Sequence, residues 1–323
     1  MSFSKDILKI DPAIEIERIV SALRRNVRQR MRRGGGVVGI SGGIDSSVVL
    51  ALGVRAFGRE RVRAIIMPDK DSDPISEPLA RELAERFGVS PILENITGVL
   101  EQFRCYERRD EAIRRVFPDY SAEHGWKAKL VLQPDLLESG SLNLFSLTVI
   151  TPDGREMTKR LGTSDVLQVV AASNLKQRTR MTALYYHAEL VNYAVLGTAN
   201  RNEHAQGFFV KYGDGGVDIQ TIGHLYKTQV YQLAEYLGVP ETIQKRTPTT
   251  DTYSAPCNQQ EFFFRLPFET MDLLWYAQEN GIPPSDAARV MGLSEAQIEH
   301  AYGDFVRKAR GTEYLRMQPV TIE

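Results

Sequence analysis

A chain of 323 residues with 42% apolar and 25% charged residues can bury one large core, and its balance is that of an ordinary globular protein. A formal net charge of −1 gives no global basic field. Nucleic acid is therefore set aside as a partner, and the arginine-rich run from Arg24 to Arg33 reads as the wet face of a helix. Cys105 and Cys257 lie far apart without CxxC spacing, no run approaches the ~20 apolar residues of a membrane span, and MSFSKDILKIDPA lacks a signal-peptide core. The expectation is a cytoplasmic protein without membrane contact, disulfide framework or thiolate metal site.

In chain order, residues 12–33 read as an amphipathic helix, with Pro12 near its start and Gly34 to Gly36 ending it. A short apolar strand follows at Val37–Ile40, then a helix over Ile44–Phe57. A second strand falls at Val62–Met67, a helix at Pro78–Phe87 and a third strand at Pro91–Ile96. Strands alternating with helices predict a doubly wound α/β fold around a mostly parallel sheet. The pattern then changes: Lys129–Leu132, Leu142–Ile150 and Arg155–Leu161 are strand-like, and Thr-Pro-Asp-Gly at 151–154 is a turn signal. Residues 125–162 thus read as a β-hairpin insertion. Helix returns over Val166–Ala194 with a break near Ser173, Tyr193–Gly197 is a fourth core strand, and Tyr226–Leu237 is helical. The expected units are a core domain over 1–255 and a helical tail over 256–323, with Ser285 and Ser294 as helix N-caps and Phe262, Phe263, Phe264, Trp275 and Tyr276 as packing residues.

The stretch VVGISGGIDSSVVL, Val37 to Leu50, carries the first chemical signal. It places a turn at the carboxyl end of a strand and the start of a helix, where open α/β sheets bind ligands. Gly39, Gly42 and Gly43 let backbone N–H groups approach an anion, and Ser41, Ser46 and Ser47 add hydroxyl donors. Neither GxxxxGK[ST] nor GxGxxG is present. Asp45 would repel phosphate unless a cation stood between them, so it is read as a Mg²⁺ ligand. The full S-G-G-x-D-S-S resembles the PP-loop of the ATP pyrophosphatases, which cleave ATP between the α and β phosphates and transfer AMP to a substrate oxygen.

Three later stretches narrow the resemblance: SNLKQRTRM (173–181), LGTANRNEHAQGFFVKYGDGGVDI (196–219), and LYKTQVYQLAEYLGVP followed by PTTD, which ends at Asp251. Asn174 and Arg178 lie four apart on one helix face, whereas Arg180 is about 200° from Arg178. A ligand on one side would not meet both arginines; a helix between two ligands, or at a subunit interface, could use both. Glu203 could join Asp45 to hold one hard cation. With the loop, these stretches resemble the synthetase domain of NAD synthetases over most of residues 12–255. The resemblance implies an adenine nucleotide α-hydrolase-like, Rossmann-like fold and a homodimer. It places Arg180, Thr198, Lys227 and Thr249 with ATP, and Asn174, Arg178, Lys211 and Asp218 with deamido-NAD. Asp45 and Glu203 become metal ligands, and Lys227 becomes the cation that the loop lacks. Asp214 is the candidate to accept a proton from ammonia, and Asp251 a further member of that site.

The implied reaction is attack of the nicotinate carboxylate on the α-phosphorus of ATP, with pyrophosphate leaving. Ammonia then converts the acyl-adenylate to the amide of NAD and expels AMP. No glutaminase domain is evident, so ammonia is expected from solution or from a separate amidase. The insertion and the aromatic segment after PTTD depart from the family pattern and leave the acceptor open. A divergent amide ligase acting on another carboxylic acid is the second reading. A nucleotide-binding regulatory protein without catalysis is the third, opposed by the intact Asp45, Glu203 and Lys227.

Overall fold

The computed structural model describes residues 3–132, 136–137, 145–249 and 252–322. Helix α1 (Pro12–Leu23) starts where the Asp11 carboxylate accepts from Ala13 and Ile14 N–H, with Pro12 at its first position. It runs on as a wider π-helical turn over Arg24–Arg30 rather than as one regular helix to residue 33. The core then alternates: β1 (Gly36–Gly39), α2 (Ile44–Phe57), β2 (Val62–Ile66), α3 (Ser76–Arg86), β3 (Ile92–Leu93). Helices α4 (Thr97–Gln102) and α5 (Cys105–Val116) follow, in a stretch to which the sequence reading assigned no element.

The insertion is a three-stranded antiparallel sheet of β4 (Lys127–Val131), β5 (Ser146–Ile150) and β6 (Glu156–Arg160), more than the expected hairpin. Positions 142–144 of the expected strand lie outside the described residues. Leu130, Leu147 and Val149 face inward and pack with Ile113 of α5, Tyr253 and Cys257. Helix α6 (Thr163–Glu189) is unbroken over 27 residues, correcting the expected interruption at Ser173. Ser173 is buried there, and its hydroxyl meets the Tyr253 phenol, so the helix keeps a polar residue by giving it a tertiary partner.

The chain returns to the core with β7 (Ala194–Gly197), α7 (Arg201–Gln206), a two-residue strand β8 (Ile219–Gln220), α8 (Lys227–Leu237) and α9 (Glu241–Gln244). The main sheet is parallel in the order β3-β2-β1-β7-β8, with Gly36 opposite both Val62 and Ala194. Its strands alternate faces: Val38 and Ala64 pack with α1, α2, α3 and α8, while Val37, Ile65 and Val195 pack with Met181 and Leu184 of α6. Strand order reverses between β1 and β7, which opens a crevice at their carboxyl ends.

The tail is helical: α10 (Phe268–Glu279), α11 (Pro284–Met291), α12 (Glu295–Gly311) and α13 (Glu313–Arg316). Ser294 caps α12 in a capping box with Gln297. Ser285 does not cap α11, because Pro284 with its preset φ takes the first helical position. Phe264, Phe268, Trp275 and Phe305 form a second core with Leu8 and Tyr226, so the tail is packed onto α8 and the N-terminus. No helix among the described residues is long and apolar enough to cross a membrane.

Candidate active site

A cleft of about 690 Å³ occupies the crevice at the ends of β1, β2 and β7. Gly39, Ser41, Gly43, Asp45 and Ser46 border it. Gly42 turns the loop with φ +69°, and a Cβ there would lie 2.7 Å from Leu79 Cβ and 2.9 Å from the Ser76 carbonyl. Only glycine meets both demands. The serines shape the loop as much as they face it. Ser46 and Ser47 Oγ both donate to the Gly43 carbonyl, at 3.0 and 2.8 Å, and Ser41 Oγ accepts from Gly43 N–H at 3.3 Å. Ser47 is fully buried and does not border the cleft.

Asp45, in the first turn of α2, meets two groups from distant segments: Asn200 Nδ2 donates to Oδ1 at 3.1 Å and Lys227 Nζ donates to Oδ2. Asn200 also caps α7 in a capping box, its side chain accepting from Glu203 N–H while Glu203 Oε2 accepts from Asn200 N–H at 3.1 Å. One asparagine thus sets both acids. The N-x-x-E spacing of 200–203 is a legible cap signal that the sequence reading passed over. Gln259 Nε2 holds the other oxygen, Oε1 of Glu203, at 3.1 Å. Burial, and then the charge of Asp45, push Glu203 up to about 8. Burial opposes the charge of Lys227, but Asp45 and then Glu203 outweigh it and hold the ammonium above its ordinary value. Lys227 is fully buried behind Asp45 and does not border the cleft.

Helix α6 forms the opposite wall with Ser173, Asn174, Gln177, Arg178 and Arg180. Both arginines border the same cleft but turn to different partners. Arg178 Nε reaches the Lys211 carbonyl at 3.2 Å, and Arg180 bends back to the Met67 carbonyl at 3.1 Å and Asp69 Oδ2 at 2.8 Å. Lys176, one turn from both Ala172 and Arg180, went unread in sequence. It is fully buried, with Nζ 3.1 Å from Asp69, 2.6 Å from Asp71 and 3.0 Å from the Thr252 carbonyl. Asp71 also receives Arg109, and Tyr106 donates to Asp69 at 3.3 Å.

Thr198 and Thr249 border the cleft, Thr249 bridging to Asn258. Lys211 borders it with its Nζ held by the carbonyls of Tyr314 at 3.1 Å and Met317 at 2.8 Å. Asp214 accepts from Val210 N–H at 2.8 Å, and burial pushes it up to about 6. Asp218 stands apart from the cleft, accepting from Val195 N–H at 2.8 Å and the Tyr185 hydroxyl at 3.1 Å. Asp251 lies outside the described residues. Phe264 and Trp275 are core residues as expected, while Phe262 and Phe263 also line the cleft, Phe262 centred among Phe145, Phe208 and Tyr253 at 5.4–5.8 Å.

The family model for NAD synthase matches residues 15–117 and 142–319, everything around the site except the first part of the insertion. The chain belongs to the NAD synthase family. Within that family it is 50% identical to a protein of Mesorhizobium japonicum named NH3-dependent NAD+ synthetase, over 97% of this chain and 98% of that one. The insertion and the aromatic tail fall within so complete a match, and the divergent-ligase and regulatory readings gain nothing from it. In fold, the chain superposes on an NH3-dependent NAD synthetase from Campylobacter jejuni with a TM-score of 0.63, at 21% identity over 98% of this chain and all of that one. An NMN synthetase from Francisella tularensis gives a TM-score of 0.60 at 21% identity, covering 97% and 99%.

Proposed function

We propose that the cleft makes NAD from deamido-NAD, ATP and ammonia, as an amide ligase working through an acyl-adenylate. The observation that carries this is the assembly at the β1 loop, where Asp45, Asn200, Glu203 and Lys227 converge from three segments at one end of a cleft whose lining also carries Asn174, Arg178, Lys211 and Asp214. The glycine loop receives the phosphates, and Arg180 and Thr198 flank the nucleotide. Asn174, Arg178 and Lys211 orient the acceptor so that its carboxylate oxygen lies in line with the α-phosphorus. Loop N–H groups stabilise charge on the departing pyrophosphate.

Asp45 and Glu203 bring two carboxylates to one end of the cleft, and burial, with the Asp45 charge second, opposes ionisation of Glu203 unless a cation stands beside it. The donor set therefore suits Mg²⁺, which takes one or two carboxylates and completes its shell with phosphate oxygens and water. Asp45 and Glu203 would hold it, and it supplies positive charge to phosphate oxygens there.

Asp214 takes a proton from the attacking nitrogen. At constant free ammonia, amide formation is expected to fall as pH drops through about 6, where Asp214 becomes protonated and can no longer accept. The same upward shift contributes stability below the ordinary aspartate value that is lost as pH rises through about 6. Asp214→Asn is expected to slow NAD formation roughly 10²–10⁴-fold while pyrophosphate is still released in the first turnover. Equal slowing of both steps would remove Asp214 from the proton-transfer role.

The ammonia comes from solution or from a separate amidase, in the cytoplasm. Tyr186, Leu190 and Tyr212 are 60–62% exposed beside the shallow groove at Tyr185 and Gly216, and we place the second copy of a homodimer on this face. A monomer at every concentration in sedimentation analysis would reject the dimer. For the reaction, the protein is incubated with ATP, Mg²⁺, ammonium and deamido-NAD, and AMP and NAD are followed. Turnover with nicotinate mononucleotide but not deamido-NAD would overturn the acceptor. ATP binding without turnover on either acid would overturn the reaction.

A further inference from the structure

Among the described residues, four basic side chains border the cleft: Arg178, Arg180, Lys211 and Arg246. Three stand away from the glycine loop. Arg180 is committed to Asp69 and the Met67 carbonyl, Arg178 to the Lys211 carbonyl, and Lys211 to the carbonyls of Tyr314 and Met317. Lys227 touches the loop only from beneath, through Asp45, and is closed off from the cleft. Arg246 alone lies on the loop from the cleft side. Its Nη1 is 3.4 Å from the carbonyls of both Ser41 and Gly42, and its Nη2 is 2.9 Å from Ser76 Oγ and 3.2 Å from Asp73 Oδ2.

These partners hold the guanidinium near the loop without using it fully. Two are neutral carbonyls at the outer limit of hydrogen bonding, and the one charged partner, Asp73, is 44% exposed, where an ion pair contributes little. The Arg246 side chain is itself only 14% exposed, so its charge is poorly hydrated and favours a multiply charged anion beside it. We infer that Arg246 is the cation that receives the departing pyrophosphate, a role nothing in the sequence pattern of the loop discloses. The assignment rests on the adenylation reading of the same cleft. As the acceptor carboxylate forms its bond to the α-phosphorus, the bond from that phosphorus to the α,β-bridging oxygen breaks. Its electron pair stays on that oxygen, and the pyrophosphate gains negative charge. A guanidinium fork at the loop's edge pairs with the oxygens on which that charge builds.

The test is pyrophosphate binding by the full chain in Mg²⁺, measured by calorimetry for wild type, Arg246→Ala, Arg246→Lys and Asp73→Ala, with AMP and deamido-NAD as companion ligands. Arg246→Ala is expected to weaken pyrophosphate roughly ten- to hundredfold, to raise the KM for ATP alongside, and to leave AMP and deamido-NAD within about twofold. Arg246→Lys restores part of the affinity as a point charge, with an unchanged circular dichroism spectrum. Asp73→Ala, which removes a competing anion, binds pyrophosphate as tightly as wild type or more so. Wild-type pyrophosphate affinity in Arg246→Ala overturns the inference. So does a loss in Asp73→Ala equal to that in Arg246→Ala, because the arginine then only clamps the loop. If wild type forms no NAD yet its pyrophosphate affinity depends on Arg246, the reaction reading fails and the cation assignment stands.

Discussion

Glu203→Gln is expected to lower kcat for NAD formation roughly 10²–10³-fold and, in the absence of divalent cation, to make the protein more stable at pH 8 than wild type. The two effects have one cause. Glu203 is buried beside Asp45 and pushed up to about 8, so its ionised form is costly to the empty fold. A folded-state value raised above the unfolded one contributes stability that is fully present at low pH and is lost as pH rises through the folded value. Glutamine keeps the acceptor for Asn200 N–H and removes the charge, so the loss disappears; the gain at pH 8 is at least ~1 kcal/mol. Asp45 and Lys227 remain paired in the variant, so the fold has no reason to open. Urea unfolding at pH 6 and pH 8, together with steady-state turnover, checks both halves. Full activity in Glu203→Gln would sink the metal-ligand assignment, and destabilisation at pH 8 would sink the account of its buried charge.

Lys176→Met is expected to cost about 3–5 kcal/mol, the largest stability effect of any single change considered. Methionine fills the volume but leaves Asp69 and Asp71 short of a buried cation, and the Thr252 carbonyl without its donor. Burial raises the Asp69 carboxyl, but Lys176 and then Arg180 outweigh it and hold the group below its ordinary 3.8. Its contribution is present above that ordinary value and is lost as pH falls through the lowered one, so wild type should lose stability in acid more steeply than Lys176→Met. The KM for ATP should rise as well, because Asp69 is what aims Arg180. A urea midpoint within about 1 kcal/mol of wild type would show the network to be dispensable.

The two ends of legibility are visible in these residues. Ile44–Phe57 is read from sequence to the residue, because a strand, a glycine turn and an apolar helix follow one another with local signals at each boundary. Glu203 is found through a motif, and its partner Asn200 could have been found through the cap spacing. Lys176 could not: it is a lysine on a helix, and its carboxylate partners arrive from more than 100 positions away. A buried ion network leaves no periodicity in the chain that makes it. Arg246 was invisible for the same reason, its loop partners lying more than 200 positions earlier. β8 is only two residues long, too short for any alternation to register. The expected break at Ser173 followed a propensity that the Tyr253 contact overrides.

The register of the central sheet has a consequence for the growing chain. Gly36 pairs with Val62 on one side and with Ala194 on the other. The β2 partner emerges almost at once, but the β7 partner follows β1 by nearly half of the chain. At about 5–20 residues per second, β1 waits on the order of ten seconds with one edge unpaired and an apolar face uncovered. During that interval the glycine loop has neither Asn200 nor Lys227 against Asp45, so a nascent chain cannot yet hold a nucleotide. The open edge is a template for other strands. Ribosome-bound intermediates ending between β2 and β7 are expected to be the most aggregation-prone species, and substitutions that slow pairing of β7 should lower yield without altering the activity of the molecules that mature.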